Sequence, residues 1–289
     1  MENSEFIIPA DIKGVCNELK KTGKGIHLLA GGTDLMVAVN LRNLVAEKLI
    51  CLRDCGLDYI KIEDTQLKIG ASATLKSIIQ SEAVQTKAPL LVESCRSIGS
   101  PAIRNVATLG GNVCNASPAA DGALALLALD AAVNIVSASG QRSVAIETFF
   151  TGPGETVLKP NELVKEFSIS IDKSHPKWGW LKIGQRKAET ISVAAVAVSM
   201  LLQKGRCKGV RIALGSVAPI PLLAQKASAM LEGKALDIEM IEAVARTAAG
   251  ESHPIDDHRA SAWYRKQVVS AMVAQILTNI AKEEADARP

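Results

Sequence analysis

Hydrophobic and polar positions divide the chain into three blocks. In the first, about residues 1–55, Ile12, Val15, Cys16 and Leu19 recur at helical spacing behind Asp11, a residue suited to cap a helix over 11–22. Gly25-Ile26-His27-Leu28-Leu29-Ala30 is a short apolar run of the kind that forms a buried strand. It opens into Gly31-Gly32-Thr33-Asp34 and then into the apolar segment Leu35–Val39; Lys48–Leu52 is a further strand. In the second block, about 56–173, Tyr59–Ile62 and Leu67–Gly70 alternate around a polar tetrapeptide, which predicts a hairpin. Helices follow over Leu75–Ser81, behind Thr74, and Pro89–Ile98, stopped by Gly99. The stretch Thr108–Asp121 then runs into an alanine- and leucine-rich helix, Gly122–Val133. Ala132–Ser137, Arg142–Ile146 and Glu162–Ile171 read as antiparallel strands, with a loop at Gly152-Pro153-Gly154.

The pattern breaks at Asp172–Lys177, and the third block spans 174–289. Trp178–Gln185, Ile191–Gln203 and Gly209–Ala218 predict a three-stranded antiparallel sheet, with a tight turn at Lys204-Gly205. Leu222–Glu232, Ile238–Ala249 and Ser261–Ala281 carry helical periodicity, and the tail from Glu283 to Pro289 is expected to fray. The fold class is therefore α+β, with a small α/β unit, a β-rich unit and a three-strand, three-helix unit.

Composition narrows this picture in a few respects. Aromatic residues make up only 3%, so the core is aliphatic, and the net charge of +3 gives no ground for a nucleic-acid or membrane partner. The longest apolar run, Ile191–Leu202, is about twelve residues, too short to span a bilayer. The first residues lack the basic start and apolar run of a secretion signal, so a cytoplasmic location is expected. Six scattered cysteines, with only Cys51 and Cys55 close, match no zinc or iron–sulfur spacing and are expected to be reduced and mostly buried. His253 and His258 are five apart with Pro254 between them, so they and Asp256 and Asp257 are expected in a surface loop and no metal site is predicted. No serine, histidine and acid fall into a nucleophilic arrangement, and no catalytic residue is assigned.

The candidate chemistry lies in two glycine pairs about eighty residues apart. Gly31-Gly32 lacks the Lys-Ser/Thr of a P-loop and the third glycine of a dinucleotide fingerprint. Thr33 and the two glycines can still present backbone N–H groups to a pyrophosphate, although taken alone the residues read more simply as a plain strand–turn. Gly110-Gly111, followed by Asn112, Asn115 and Ser117, reads either as a ligand loop or as a polar turn before a core helix. If Gly122 opens a helix, its first turn offers free N–H groups. Together the two pairs suit a long, two-ended cofactor held between two units.

With both motifs in view, Leu28-Leu29-Ala30-Gly31-Gly32-Thr33-Asp34 and Ile103–Asn112, with Ser117-Pro118 and Asp121 behind them, closely resemble the FAD-binding subunits of molybdenum hydroxylases, of the xanthine dehydrogenase and aerobic carbon monoxide dehydrogenase type. The likeness covers nearly the whole chain. It implies a vanillyl-alcohol-oxidase (PCMH) type FAD domain over 1–173, with subdomains of about 1–55 and 56–173, and the C-terminal domain of these flavoproteins over 174–289. It implies that Leu29, Ala30, Gly31, Gly32, Thr33 and Asp34 form the pyrophosphate segment, and that Ala107, Thr108, Gly111, Asn112 and Asn115 line the phosphate and flavin-proximal path. Asp121 matches an acid that binds a hydroxyl-bearing part of FAD; Leu163, or Val164, would pack near the adenine or ring system; Lys182 matches a lysine near the flavin ring. Glu189, behind Arg186-Lys187, would sit in a lid near that ring, and Ile98 stands where animal members carry an aromatic. No four-cysteine insert is present, so FAD would be the one redox centre. The partners implied are a large subunit with the molybdenum cofactor and a small [2Fe–2S] subunit, in a heterotrimer or its dimer, with NAD⁺, a quinone-type carrier or oxygen as acceptor. Two rival readings are a stand-alone FAD-dependent reductase on the same fold and a non-catalytic nucleotide-binding assembly module.

Overall fold

The computed structural model describes residues 4–21, 25–41, 44–171, 176–186 and 189–286. The first block forms a parallel three-stranded sheet in the order Glu5–Ile7, Lys48–Cys51, Ile26–Leu29. Parallel neighbours need crossover connections, and the helices Ile12–Leu19 and Leu35–Leu41 lie in them. Asp11 caps the first helix by accepting from Gly14 N–H at 2.7 Å, and Val15, Cys16 and Leu19 form its buried face, as the periodicity predicts.

The second block is a five-stranded antiparallel sheet in the order Ile60–Glu63, Gln66–Gly70, Glu162–Ser170, Ala132–Ser137, Gly140–Ala145. Leu67, Ile69, Val133, Ile135 and Phe167 belong to the core shared with the block's helices. Among those helices, Leu75–Gln80 is capped by Thr74, whose Oγ1 accepts from Ser77 N–H at 3.0 Å. The edge hairpin is tied in by Glu162. Its carboxylate accepts from Arg142 Nε at 2.8 Å and Nη2 at 2.7 Å, and from the N–H of Lys159 at 2.9 Å. The Arg142 pair holds this carboxyl below its ordinary range. Its stabilising contribution is therefore complete above the unfolded value and is lost as pH falls through the lower folded one. Glu162→Gln is expected to cost roughly 1–2 kcal/mol at pH 7. The difference from wild type should begin to shrink as pH falls below the ordinary carboxylate range and vanish only below the lower folded value, in urea unfolding curves measured across pH.

The helix Asp121–Ala128 is buried at every position. A helix apolar all round has no solvent face. It packs against both the second block and the third, where Gly215 leaves room for Leu124: a Cβ on Gly215 would sit 2.9 Å from Leu124 Cδ2. Ala195, Ala197 and Ala213 belong to that same core, while Ala194, Val196, Val198, Ile212 and Leu214 face the C-terminal helices. Alternation along two strands thus makes the third sheet a wall between two cores.

That sheet has four strands, Lys177–Gly184, Ser192–Gln203, Arg206–Gly215 and Leu222–Leu223, rather than three. The two-residue edge strand replaces the start of the helix expected at Leu222, and the helix itself is Gln225–Leu231. The last two helices are Ile238–Glu251 and Ala262–Asp286. Most of the tail expected to fray is therefore helical, and its last three residues lie outside the described ones. Residues 172–175 of the expected break, and Lys187 and Ala188 before Glu189, also lie outside them. No described helix is long and apolar enough to cross a membrane.

Candidate functional site

The strand Ile26–Leu29 delivers the first glycine pair to the end of the parallel sheet. Gly32 turns the chain at φ +73°, where a side chain is disfavoured, and its carbonyl accepts from Met36 N–H at 3.0 Å to begin the helix Leu35–Leu41. The backbone N–H groups of Gly31, Gly32, Thr33, Asp34 and Leu35 donate to no group among the described residues. A run of free N–H groups around a left-handed residue is a concavity for anionic oxygen.

The second pair behaves differently. Thr108 caps a helix, Leu109–Cys114, by accepting from Gly111 N–H at 3.0 Å through its hydroxyl. The other early donors are also committed: Leu109 N–H to Ala73 O at 3.0 Å and Gly110 N–H to Ala71 O at 2.8 Å. The segment read as a loop is thus a helix bonded to the Gly70–Thr74 turn, and its N–H groups are not the ones free for a ligand. The free donors come from the first motif.

Gly31 joins the two motifs. A Cβ there would lie 2.0 Å from Val106 O, 2.7 Å from Val106 C and 2.9 Å from Ala107 Cα. The backbones touch because Gly31 has no side chain. A Cβ on Gly111, by contrast, would meet only Thr108 Oγ1, at 3.0 Å, and otherwise project into open space. Next to it Asn112 Oδ1 is buried without a hydrogen-bond partner, against Gly122, where a Cβ would sit 2.6 Å away. Free donors on one side, an open glycine face and an orphaned amide oxygen on the other fit a long, polar, phosphate-bearing molecule.

The comparisons with known proteins decide what that molecule is. Residues 2–170 match the family described as the FAD-binding domain in molybdopterin dehydrogenase, and residues 180–280 match the CO dehydrogenase flavoprotein C-terminal domain. The chain belongs to the FAD-binding subunits of the molybdenum hydroxylase family. It is 31% identical to the glyceraldehyde dehydrogenase medium chain of Sulfolobus acidocaldarius, over 88% of this chain and 90% of that protein. It is 32% identical to the putative xanthine dehydrogenase FAD-binding subunit of Escherichia coli K12, over 87% of each. Its fold matches a chain of the carbon monoxide dehydrogenase structure from Hydrogenophaga pseudoflava with a TM-score of 0.93, at 32% identity and covering 97% and 98% of the two chains. This is the flavoprotein component of an oxidoreductase, and its cofactor is FAD.

The FAD subunit's predicted site residues fall into three groups. Gly31 to Asp34, which carry the free N–H groups, follow Leu29 and Ala30 at the end of the strand; Ala107, against Gly31, and Thr108 are buried, with Gly111 and Asn112 half-buried and Asn115 exposed. Asp121 and Lys182 come together across 61 residues of sequence. Lys182 Nζ donates to Asp121 Oδ2 at 2.6 Å and to Ser97 O at 2.9 Å, and both side chains are nearly fully buried. Burial pushes the Asp121 carboxyl up from its ordinary range, while Lys182 and the Ser192 hydroxyl, 3.5 Å from Oδ1, pull it back. Leu163 is 1% exposed and packs in the core under the first motif, with Val15, Ile50 and Val136, against which Leu28 and Ala30 also pack. Glu189 has φ +52°, and its carbonyl accepts from Arg186 Nε at 3.1 Å.

Sequence reasoning missed Ser97, Ser192 and Ser216. Ser216 N–H donates to Pro118 O at 2.8 Å, and its hydroxyl lies 3.0 Å from that of Ser192. Ser192 opens one strand of the third sheet and Ser216 directly follows another, and no local motif marks them. The loop expected around His253 and His258 is organised instead by Asp257, which accepts from Arg259 and Arg265 at 2.6 Å each. No metal-binding cluster occurs among the described residues.

Proposed function

We propose that this subunit passes electrons from [2Fe–2S] clusters on a small partner subunit to NAD⁺, a quinone-type carrier or oxygen, and that oxidation of the substrate takes place on a large subunit carrying the molybdenum cofactor. The cradle of uncommitted N–H groups at Gly31–Leu35, pressed against Val106 and Ala107, carries this reading. In it the FAD pyrophosphate lies on Leu29–Asp34 and the path continues along Ala107, Thr108, Gly111, Asn112 and Asn115. Asp121 and Lys182 then belong to the flavin-proximal end, and Leu163 supports the adenine or ring system from below. Bound FAD supplies the conversion between single-electron and two-electron transfer. The chain's own part is to hold it, exclude water and set the charge around it. Residues 1–173 serve as the FAD domain and 174–289 as the domain that closes over it with Lys182.

Relatives named for glyceraldehyde, xanthine and carbon monoxide share this fold. Substrate identity therefore belongs to a partner, and the assembly is a heterotrimer or its dimer. Six unpaired thiols suit the reducing cytoplasm. A stand-alone reductase would need an acid to protonate carbon, and the buried carboxyl at this site is already held by Lys182 and Ser192.

The test begins with the purified chain, which should take up one FAD per chain with a flavin absorption spectrum. A colourless protein that cannot be reconstituted would overturn the reading in favour of an assembly module. Tagged subunit expressed with its genomic neighbours should co-purify with a molybdenum-containing large chain and an iron–sulfur small chain. An FAD-loaded chain that stays alone and turns over a substrate unaided would establish the reductase instead.

A further inference from the structure

Arg265, on the helix Ala262–Asp286, has the largest fully buried side chain among the described residues, 1% exposed. Its Nη1 donates to Val193 O at 2.7 Å and Ser216 O at 2.9 Å, its Nη2 donates to Asp257 Oδ1 at 2.6 Å, and its Nε has no partner. A guanidinium buried with one donor unsatisfied is costly, and an apolar side chain of similar volume would fill the space without that penalty. What the guanidinium holds is unusual too. Ser216 sits at φ +62°, a left-handed conformation disfavoured for any residue with a side chain. It is gripped at three points: its carbonyl by Arg265, its N–H by Pro118 O, and its hydroxyl by Ser192.

Asp257 completes a matched arrangement. Its Oδ2 accepts from Arg259 Nη2 at 2.6 Å, and Arg259 Nη1 reaches Ser192 O at 3.5 Å. One carboxylate thus anchors two arginines, each on the backbone of one serine. Those serines contact the second motif, Ser216 through Pro118 and Ser192 through Asp121. We infer that Arg265 is a positioning residue for the FAD site, acting through the left-handed turn at Ser216 on Pro118 and Asp121. The inference rests on the FAD reading above. Arg265 touches no cofactor; it fixes the third block against the end of the second motif, where Asp121 and Lys182 meet.

The experiment uses the full chain, with FAD titrated into apoprotein and the flavin absorption bands recorded. Failure of the wild type to bind FAD would count against the FAD reading alone. Given wild-type binding, Arg265→Lys is expected to raise the FAD Kd about tenfold and to shift the long-wavelength flavin band, because a point charge cannot hold both carbonyls. In a Ser216→Gly background the same substitution should cost only about twofold, because glycine adopts the turn unaided and the two sites are coupled. Loss of thermal stability with affinity and bands unchanged would overturn the inference, as would an equal loss in both backgrounds. Should Arg265→Lys fail to fold, Ser216→Val disfavours the same turn from its other side. It should give the same rise and shift, and wild-type binding by Ser216→Val would overturn the inference.

Discussion

Gly31→Ala is expected to weaken FAD binding by at least about a hundredfold, the largest loss from a single methyl group anywhere in the site. The added carbon would be placed 2.0 Å from Val106 O and 2.7 Å from Val106 C. Both neighbours are backbone, so no rotamer change relieves the overlap, and the two motifs must separate by more than 1 Å, roughly the distance to an ordinary van der Waals contact. The first motif would then present its N–H groups away from the second motif's path, and a cofactor spanning both could satisfy only one. Strain of this kind also costs stability, about 1–3 kcal/mol. Gly111→Ala separates the two effects. Its Cβ meets only the Thr108 hydroxyl and otherwise enters open space. That variant should unfold no more readily than wild type without FAD, since alanine suits the helix better than glycine, yet lose affinity, because the methyl group occupies volume the cofactor needs. Fluorescence titration with FAD, beside thermal unfolding of the apoprotein, measures both quantities. Wild-type affinity in Gly31→Ala would show that the motifs need not touch for binding, and the cradle reading would fall.

Much of this architecture is legible in the sequence because the determinants are local. The caps at Asp11 and Thr74, the alternation along Leu67–Gly70 and the continuous apolar run of Ser192–Gln203 act within a few residues. The helix Leu109–Cys114 is not legible for the opposite reason. Two adjacent glycines disfavour a helix by about 1 kcal/mol each, and the segment reads as a loop. What selects the helix is long-range: the Thr108 cap and the bonds to Ala71 and Ala73, with Gly110 required because a Cβ would lie 2.5 Å from Ala71 O. The strand Leu222–Leu223 is too short to carry a period. The two glycine motifs are recognisable as a pair, but which of them keeps its N–H groups free is not. That depends on the turn at 70–74, which supplies acceptors to the second motif and none to the first. Ser192, Ser216 and Arg265 have no signal at all, because each acts on a residue tens of positions away.

Lys182→Met should have the largest effect on the redox properties of the bound flavin. The Lys182 ammonium and the Asp121 carboxylate form a nearly buried pair at 2.6 Å, so together they carry little net charge, and in the proposed site that pair faces the flavin-proximal region. Removing the ammonium leaves a buried carboxylate without its counter-charge. Breaking such a pair costs about 3–5 kcal/mol. The field also turns negative where reduction adds electrons, so the FAD reduction potential should fall by roughly 30–60 mV. Asp121→Asn should act in the opposite direction, leaving the ammonium unbalanced and raising the potential. The double variant should lie near wild type in potential and recover part of the lost stability, because neither charge then remains alone. The pH dependence gives a separate check on sign. Burial already pushes the Asp121 carboxyl up, and without Lys182 it rises further. In Lys182→Met a proton on Asp121 therefore removes the stray charge. The stability penalty should be smaller in acid than at pH 7 and should grow as pH rises through the raised value. Spectroelectrochemical titration of the four proteins measures the potentials. Equal potentials in Lys182→Met and Asp121→Asn would place the pair away from the flavin, leaving it the single task of joining the helix Asp121–Ala128 to the strand Lys177–Gly184.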